Sequence, residues 1–144
     1  MKLEFREFHG PSDWGWVQTC VPILRVEDTS GIMAIDSETN TTVGAVIFDN
    51  WTENSVQTHF MISSPLVLKH GFMKTVYQYV FDDRGLKYMY GLVPANNTKA
   101  VAFNSKMGWI IRTVLPEAFA KGVDYLIMEL TRANCKYLDG FKHG

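Results

Sequence analysis

The chain has 144 residues, the length of one domain with short terminal extensions. Hydrophobic residues make up 47% and charged residues 20%, which excludes a disordered or low-complexity chain, and nine Phe, six Tyr and four Trp are available for a core. A net charge of −1, from 14 basic and 15 acidic residues, argues against a protein held to nucleic acid by a basic face.

The first residues, Met1-Lys2-Leu3-Glu4-Phe5-Arg6, carry no apolar stretch of the kind a secretion signal needs, and no apolar run reaches the length of a membrane span. No membrane partner is expected. Cys20 and Cys135 have no metal-ligand spacing and read as reduced thiols of a cytoplasmic protein, with no metal site.

Along the chain, Leu3, Phe5 and Phe8 mark a short strand over 2–8. Pro11-Ser12-Asp13 signals a helix start, and Trp14, Val17, Val21 and Leu24 follow at helical spacing, with Pro22 limiting the run. Residues 32–36, 43–49 and 56–62 read as antiparallel strands separated by polar turns at 37–40 and 50–54. Ser64-Pro65 caps a long helix whose Leu66, Met73, Val76, Tyr77, Val80 and Phe81 share a face, closed by 82–85. Residues 86–93 form a strand ended by Pro94. Asn96-Asn97 caps a second helix carrying Ala100, Phe103 and Met107, and Gly108 stops it. Two strands follow over 109–114 and 123–131, joined by a loop around Pro116. The domain ends near residue 134, and 135–144 read as a loose tail. This order is a mixed α/β (α+β) pattern. Its central strand–helix–strand crossover implies parallel neighbours there.

The order and one motif resemble the GCN5-related N-acetyltransferase (GNAT) superfamily. The motif spans 93–109, where Asn97, Ala100, Phe103, Lys106, Gly108 and Trp109 fall in register with the family pattern of an asparagine, a small residue, a large apolar residue, a lysine and a Gly-aromatic pair. The resemblance in element order covers 2–131. It implies a mostly antiparallel central sheet of about six to seven strands, with a parallel strand–helix–strand core and helices on both faces. It also implies a single acyltransferase domain over 1–134 that uses acetyl-coenzyme A as co-substrate. Its short chain and degenerate phosphate motif look most like small phage- or prophage-encoded members.

In the family the asparagine of this motif holds the pantetheine arm, which makes Asn97, Ala100 and Phe103 candidate coenzyme contacts. A helix N-cap explains an Asn at 97 equally well. The family's phosphate motif, Arg/Gln-x-x-Gly-x-Gly/Ala, serves because glycines let backbone approach a pyrophosphate at a helix N-terminus. Residues 63–74 keep only Gly71 of it. Ser63, Ser64, Lys69, His70 and Lys74 offer a substitute set of hydroxyl, amide and positive groups. Read plainly, Ser64-Pro65 is a cap and the lysines are solvated.

The strand before the long helix carries Phe60, Met61, Ile62 and Ser63, whose backbone the resemblance places against the thioester as an oxyanion hole. His59 on that strand is the candidate base, because histidine is the residue type suited to exchanging protons at neutral pH, with Asp36, Asp49, Glu27 and Glu117 as weaker ones. The position of the family's tyrosine acid is Asn104 here, which cannot donate a proton in that sense. Tyr88, Tyr90 or Tyr125 could replace it from a strand. The implied reaction is direct transfer of an acyl group from the coenzyme thioester to an amine of a small molecule or protein. Two other readings compete with it. One is a catalytically silent domain of the same fold that binds a protein partner or builds a particle; the other is a small ligand-binding module without coenzyme. A homodimer is left open.

Overall fold

The computed structural model describes residues 2–21, 23–64, 66–69 and 71–138. The strands are β1 (Leu3–Glu7), β2 (Ser30–Asp36), β3 (Thr41–Asp49), β4 (Ser55–Ile62), β5 (Tyr88–Pro94), β6 (Ile110–Ala120) and β7 (Val123–Thr131). The helices are α1 (Gly10–Cys20), α2 (Leu66–Lys69), α3 (Phe72–Gln78) and α4 (Thr98–Met107). The sheet has seven strands in the order β1-β2-β3-β4-β5-β7-β6. Its one parallel pair is β4–β5, the crossover expected from sequence, and it is confined to Ser55–Gln57 against Tyr88–Tyr90. The pairs β1–β2, β2–β3, β5–β7 and β6–β7 are antiparallel. Contacts divide the chain into two compact units: Met1–Trp51 with Thr58–Val76, and Thr52–Gln57 with Tyr77–Gly144.

In the first unit β2 and β3 are buried along nearly their whole length. Side chains alternate across a strand, so each face needs its own cover. On one face Met33, Ile35, Ala45, Ile47 and Met61 pack with Trp14 and Val17 of α1. On the other, Phe5 meets Phe72 at 5.3 Å between ring centroids. A side chain on Gly44 there would press on Ile62, Val67 and the Met61 carbonyl at 3.3–3.4 Å, which explains a glycine inside a buried strand. Asp13, in the first turn of α1, ties that helix to β1. Its carboxylate accepts from the Arg6 guanidinium at 2.7 and 2.9 Å and from the His9 N–H at 2.5 Å.

The second unit buries Met89, Met107, Trp109, Met128 and Leu130. Tyr77 is fully buried, and its hydroxyl accepts from Trp109 Nε1 at 3.1 Å. Burial pushes the Tyr77 phenol well above its ordinary range. Asn97 caps α4, its side-chain oxygen accepting from the Ala100 N–H at 3.2 Å. Gly108 ends that helix in the left-handed region at φ 107°.

Five expectations are corrected. First, α1 stops at Cys20, and Leu24 is 81% exposed; Val21 is extended because it precedes a proline. Second, the long helix over 66–81 is divided: α2 ends at Lys69, Gly71 takes φ 82°, and a π-helical turn over Tyr79–Asp83 follows α3. Its Leu66 is exposed rather than on the buried face. Third, Leu86 does not open β5, because its N–H closes the π turn on the Val80 carbonyl. Fourth, β6 runs through Pro116 to Ala120 with a register break after Leu115. An edge strand tolerates a proline, since its outer side needs no ladder donor. Fifth, Cys135 and Leu138 are buried, so the tail is docked to at least Leu138, and 139–144 lie outside the described residues. No helix among the described residues is long and apolar enough to cross a membrane.

Candidate functional site

The first unit brings chemistry together at the C-terminal half of β4. The end of α1, at Cys20 and Val21, and the run Phe60, Met61, Ile62 and Ser63 line an open cleft of about 230 Å³. Two local features shape it. The early stop of α1 turns the chain away after Cys20. Ser63 leaves the strand with both its N–H and its hydroxyl donating to the Val43 carbonyl, at 3.0 and 2.8 Å, which clips the strand end to β3.

His59 stands one residue before the cleft. Its Nε2 lies 3.0 Å from Asp49 Oδ2. The two side chains are 18% and 10% exposed, so the pair is largely shielded from water. Alternation along β4 puts His59 on the same strand face as Met61, the face that packs against α1. A histidine beside a carboxylate can take a proton and keep the resulting cation compensated, which suits a base for an amine. Asp49 was expected only as a weak base of its own. Its pairing with His59 depends on how β3 and β4 lie side by side, which spacing in the chain does not state. Cys20 and Val21 as cleft walls were likewise not foreseen. The helix break beside Pro22 was their one signal.

The expected phosphate-site residues are described in part. Lys69 closes α2, and His70 lies outside the described residues. Gly71, at φ 82°, has open space where a side chain would stand, and its carbonyl accepts from the N–H and hydroxyl of Thr75 at 3.0 and 3.2 Å.

The other expected residues belong to the second unit. Ala100 and Phe103 are half-buried on α4, behind the Asn97 cap. Asn104 is buried, and its amide donates to the Met128 sulfur at 3.7 Å. Tyr90 is half-buried on β5, opposite Gln57 and Glu129. Cys135 is fully buried, and burial pushes its thiol up, which keeps it protonated and unreactive near neutral pH. Among the described residues no group of three or more His, Cys, Asp and Glu is placed to hold a metal ion.

The fold is similar to that of spermidine/spermine N-acetyltransferase SpeG from Vibrio cholerae, solved in complex with manganese ions. That protein is 17% identical, with a TM-score of 0.71 over 91% of this chain and 93% of that one. A site-directed variant of the V. cholerae spermidine N-acetyltransferase SpeG is 16% identical, with a TM-score of 0.77 over 97% and 98% of the two chains. A GNAT-family acetyltransferase from Bacillus anthracis is 16% identical, with a TM-score of 0.56 over 70% of this chain and 65% of that one. The chain therefore has the fold of the GNAT acetyltransferases. No protein-family model matches the sequence, and no curated protein matches it.

Proposed function

We propose that the chain is an N-acyltransferase that passes an acetyl group from acetyl-coenzyme A to a primary amine. The observation that carries this reading is the cleft along Phe60–Ser63 with a carboxylate-paired histidine one residue away, on a fold shared with N-acetyltransferases. At about 230 Å³ the cleft suits the small reacting end of the donor rather than a whole coenzyme. The main chain of Phe60–Ile62 runs along it, and this reading assigns to N–H groups of that run the role of donors to the thioester carbonyl oxygen.

With both substrates bound, the amine nitrogen attacks the thioester carbonyl carbon, a C–N bond replaces the C–S bond, and coenzyme A leaves as its thiolate. His59 takes the proton that the ammonium must lose. A thiol with a pKa of about 8.5 leaves near neutral pH without a protein acid, so an asparagine at 104 is no obstacle. The acceptor is a small amine, and polyamines head the panel because the similar structures include spermidine N-acetyltransferases. The two cysteines, both free thiols, fit a cytoplasmic site of action.

The test is thermal unfolding with excess acetyl-coenzyme A, followed by thiol release with a panel of amines. At roughly 100 times its dissociation constant a ligand adds about 2.7 kcal/mol, which raises the midpoint by about 5–10 °C for a chain of this size. His59→Gln is expected to keep that rise and lose about 10²–10⁴-fold in turnover. An unchanged midpoint at millimolar coenzyme defeats the reading and leaves the fold serving a protein partner.

A further inference from the structure

We infer that Asp49 is a positioning residue: it holds His59 with the proton on Nε2 and so makes Nδ1 the atom that accepts the substrate's proton. The inference rests on the reading of His59 as base. A carboxylate oxygen only accepts, so at 3.0 Å from Asp49 Oδ2 the Nε2 of a neutral ring must donate. A neutral imidazole carries one N–H, and Nδ1 is then the lone-pair atom. Both residues stand on paired strands of the sheet, and both are mostly shielded from water. The hydrogen bond is therefore stronger and better fixed than a surface pair.

The carboxylate also has no competing use. Asp49 Oδ1 is buried and has no hydrogen-bond partner among the described residues. His59 is the side chain that satisfies this buried acid, and losing it would strand the charge. When Nδ1 takes a proton, the imidazolium keeps its Nε2–H on Asp49, and the positive charge forms beside a carboxylate already in place. The wrong tautomer would aim an N–H, not a lone pair, at the amine.

The experiment is long-range ¹H–¹⁵N correlation of the histidine rings in the full chain at a pH where His59 is neutral. The His59→Gln spectrum assigns its signals among the four histidines. The wild type is expected to show the Nε2–H pattern. In Asp49→Asn the amide can turn its NH₂ to Nε2, so the ring is expected to move to Nδ1–H. Turnover then falls by about 10²–10⁴-fold while acetyl-coenzyme A affinity stays within about twofold. A wild-type ring found as Nδ1–H, or as an even mixture, overturns the inference whatever the turnover of Asp49→Asn. So does an Asp49→Asn enzyme that keeps wild-type turnover. A wild type that acetylates no amine defeats the assignment of His59 as base instead, and the ring spectrum still decides whether Asp49 sets the tautomer.

Discussion

Gly108 offers a test of how firmly the end of α4 is held. It sits at φ 107°, and a β-carbon there would stand 1.9 Å from the Asn134 carbonyl oxygen and 2.9 Å from its carbon. That carbonyl cannot swing aside freely. It belongs to the 3-10 turn Arg132–Asn134, whose ends are pinned by Asn134 N–H to Thr131 Oγ1 at 3.3 Å and Cys135 N–H to the Arg132 carbonyl at 3.1 Å. Gly85 is the control in the same unit, at φ 64° but with no atom within 4 Å of the same construction. For Gly85→Ala only backbone strain acts, partly offset by lower entropy of the unfolded chain, a net loss of about 1 kcal/mol. For Gly108→Ala a backbone displacement adds to the strain, for a total of about 3 kcal/mol or more. An unfolding entropy of about 2.1 cal/mol/K per residue converts 1 kcal/mol into about 3 °C here. The midpoints should fall by about 3 °C and about 10 °C, read by far-UV circular dichroism and checked by urea titration. If the two variants lie within about 1 kcal/mol of each other, the 132–134 turn yields freely and the reasoning is wrong.

Two further outcomes follow from polar groups that the fold buries. Tyr77→Phe removes the acceptor of the Trp109 indole N–H in a fully buried site, and the stranded donor is expected to cost about 1–3 kcal/mol in urea unfolding; a loss under about 0.3 kcal/mol would show that Trp109 finds another acceptor. At Asp13 burial opposes ionisation, but the hydrogen bonds from Arg6 and the His9 N–H outweigh it and hold the carboxyl below its ordinary value. A depressed carboxyl stabilises the fold above its unfolded pKa of about 3.9, and that contribution is lost as pH falls through the lower folded value. Asp13→Asn should therefore cost about 1–2 kcal/mol at pH 7, discounted for the partly exposed Arg6, and the gap to wild type should begin to narrow below about pH 4. A gap that persists unchanged at pH 3 would place the loss in packing rather than in charge.

The candidate site is legible to different depths along one strand. His59 and the run Phe60–Ser63 can be picked out of the amino-acid order alone, because β4 alternates and ends at a clear turn signal. Asp49 is visible there as an acid at the end of β3, but not as the partner of His59. A hydrogen bond between residues ten apart depends on strand register, and register follows from the whole set of faces being buried at once. The cleft is a similar case. Cys20 and Val21 meet Phe60–Ser63 only because α1 lies on the Met61 face of the sheet.

Element order, the Asn97 cap and the Gly108 stop were determined by the sequence itself, because capping, periodicity and left-handed glycine turns are decided within a few residues. The tertiary structure decided the rest. It broke the helix over 66–81 at a glycine that periodicity alone passes over. It carried β6 through a proline because an edge strand has a side with no ladder to feed. It joined Arg6 to Asp13 and His59 to Asp49, pairs that form only when separate elements are packed side by side, and it shielded the second of them from water on both sides.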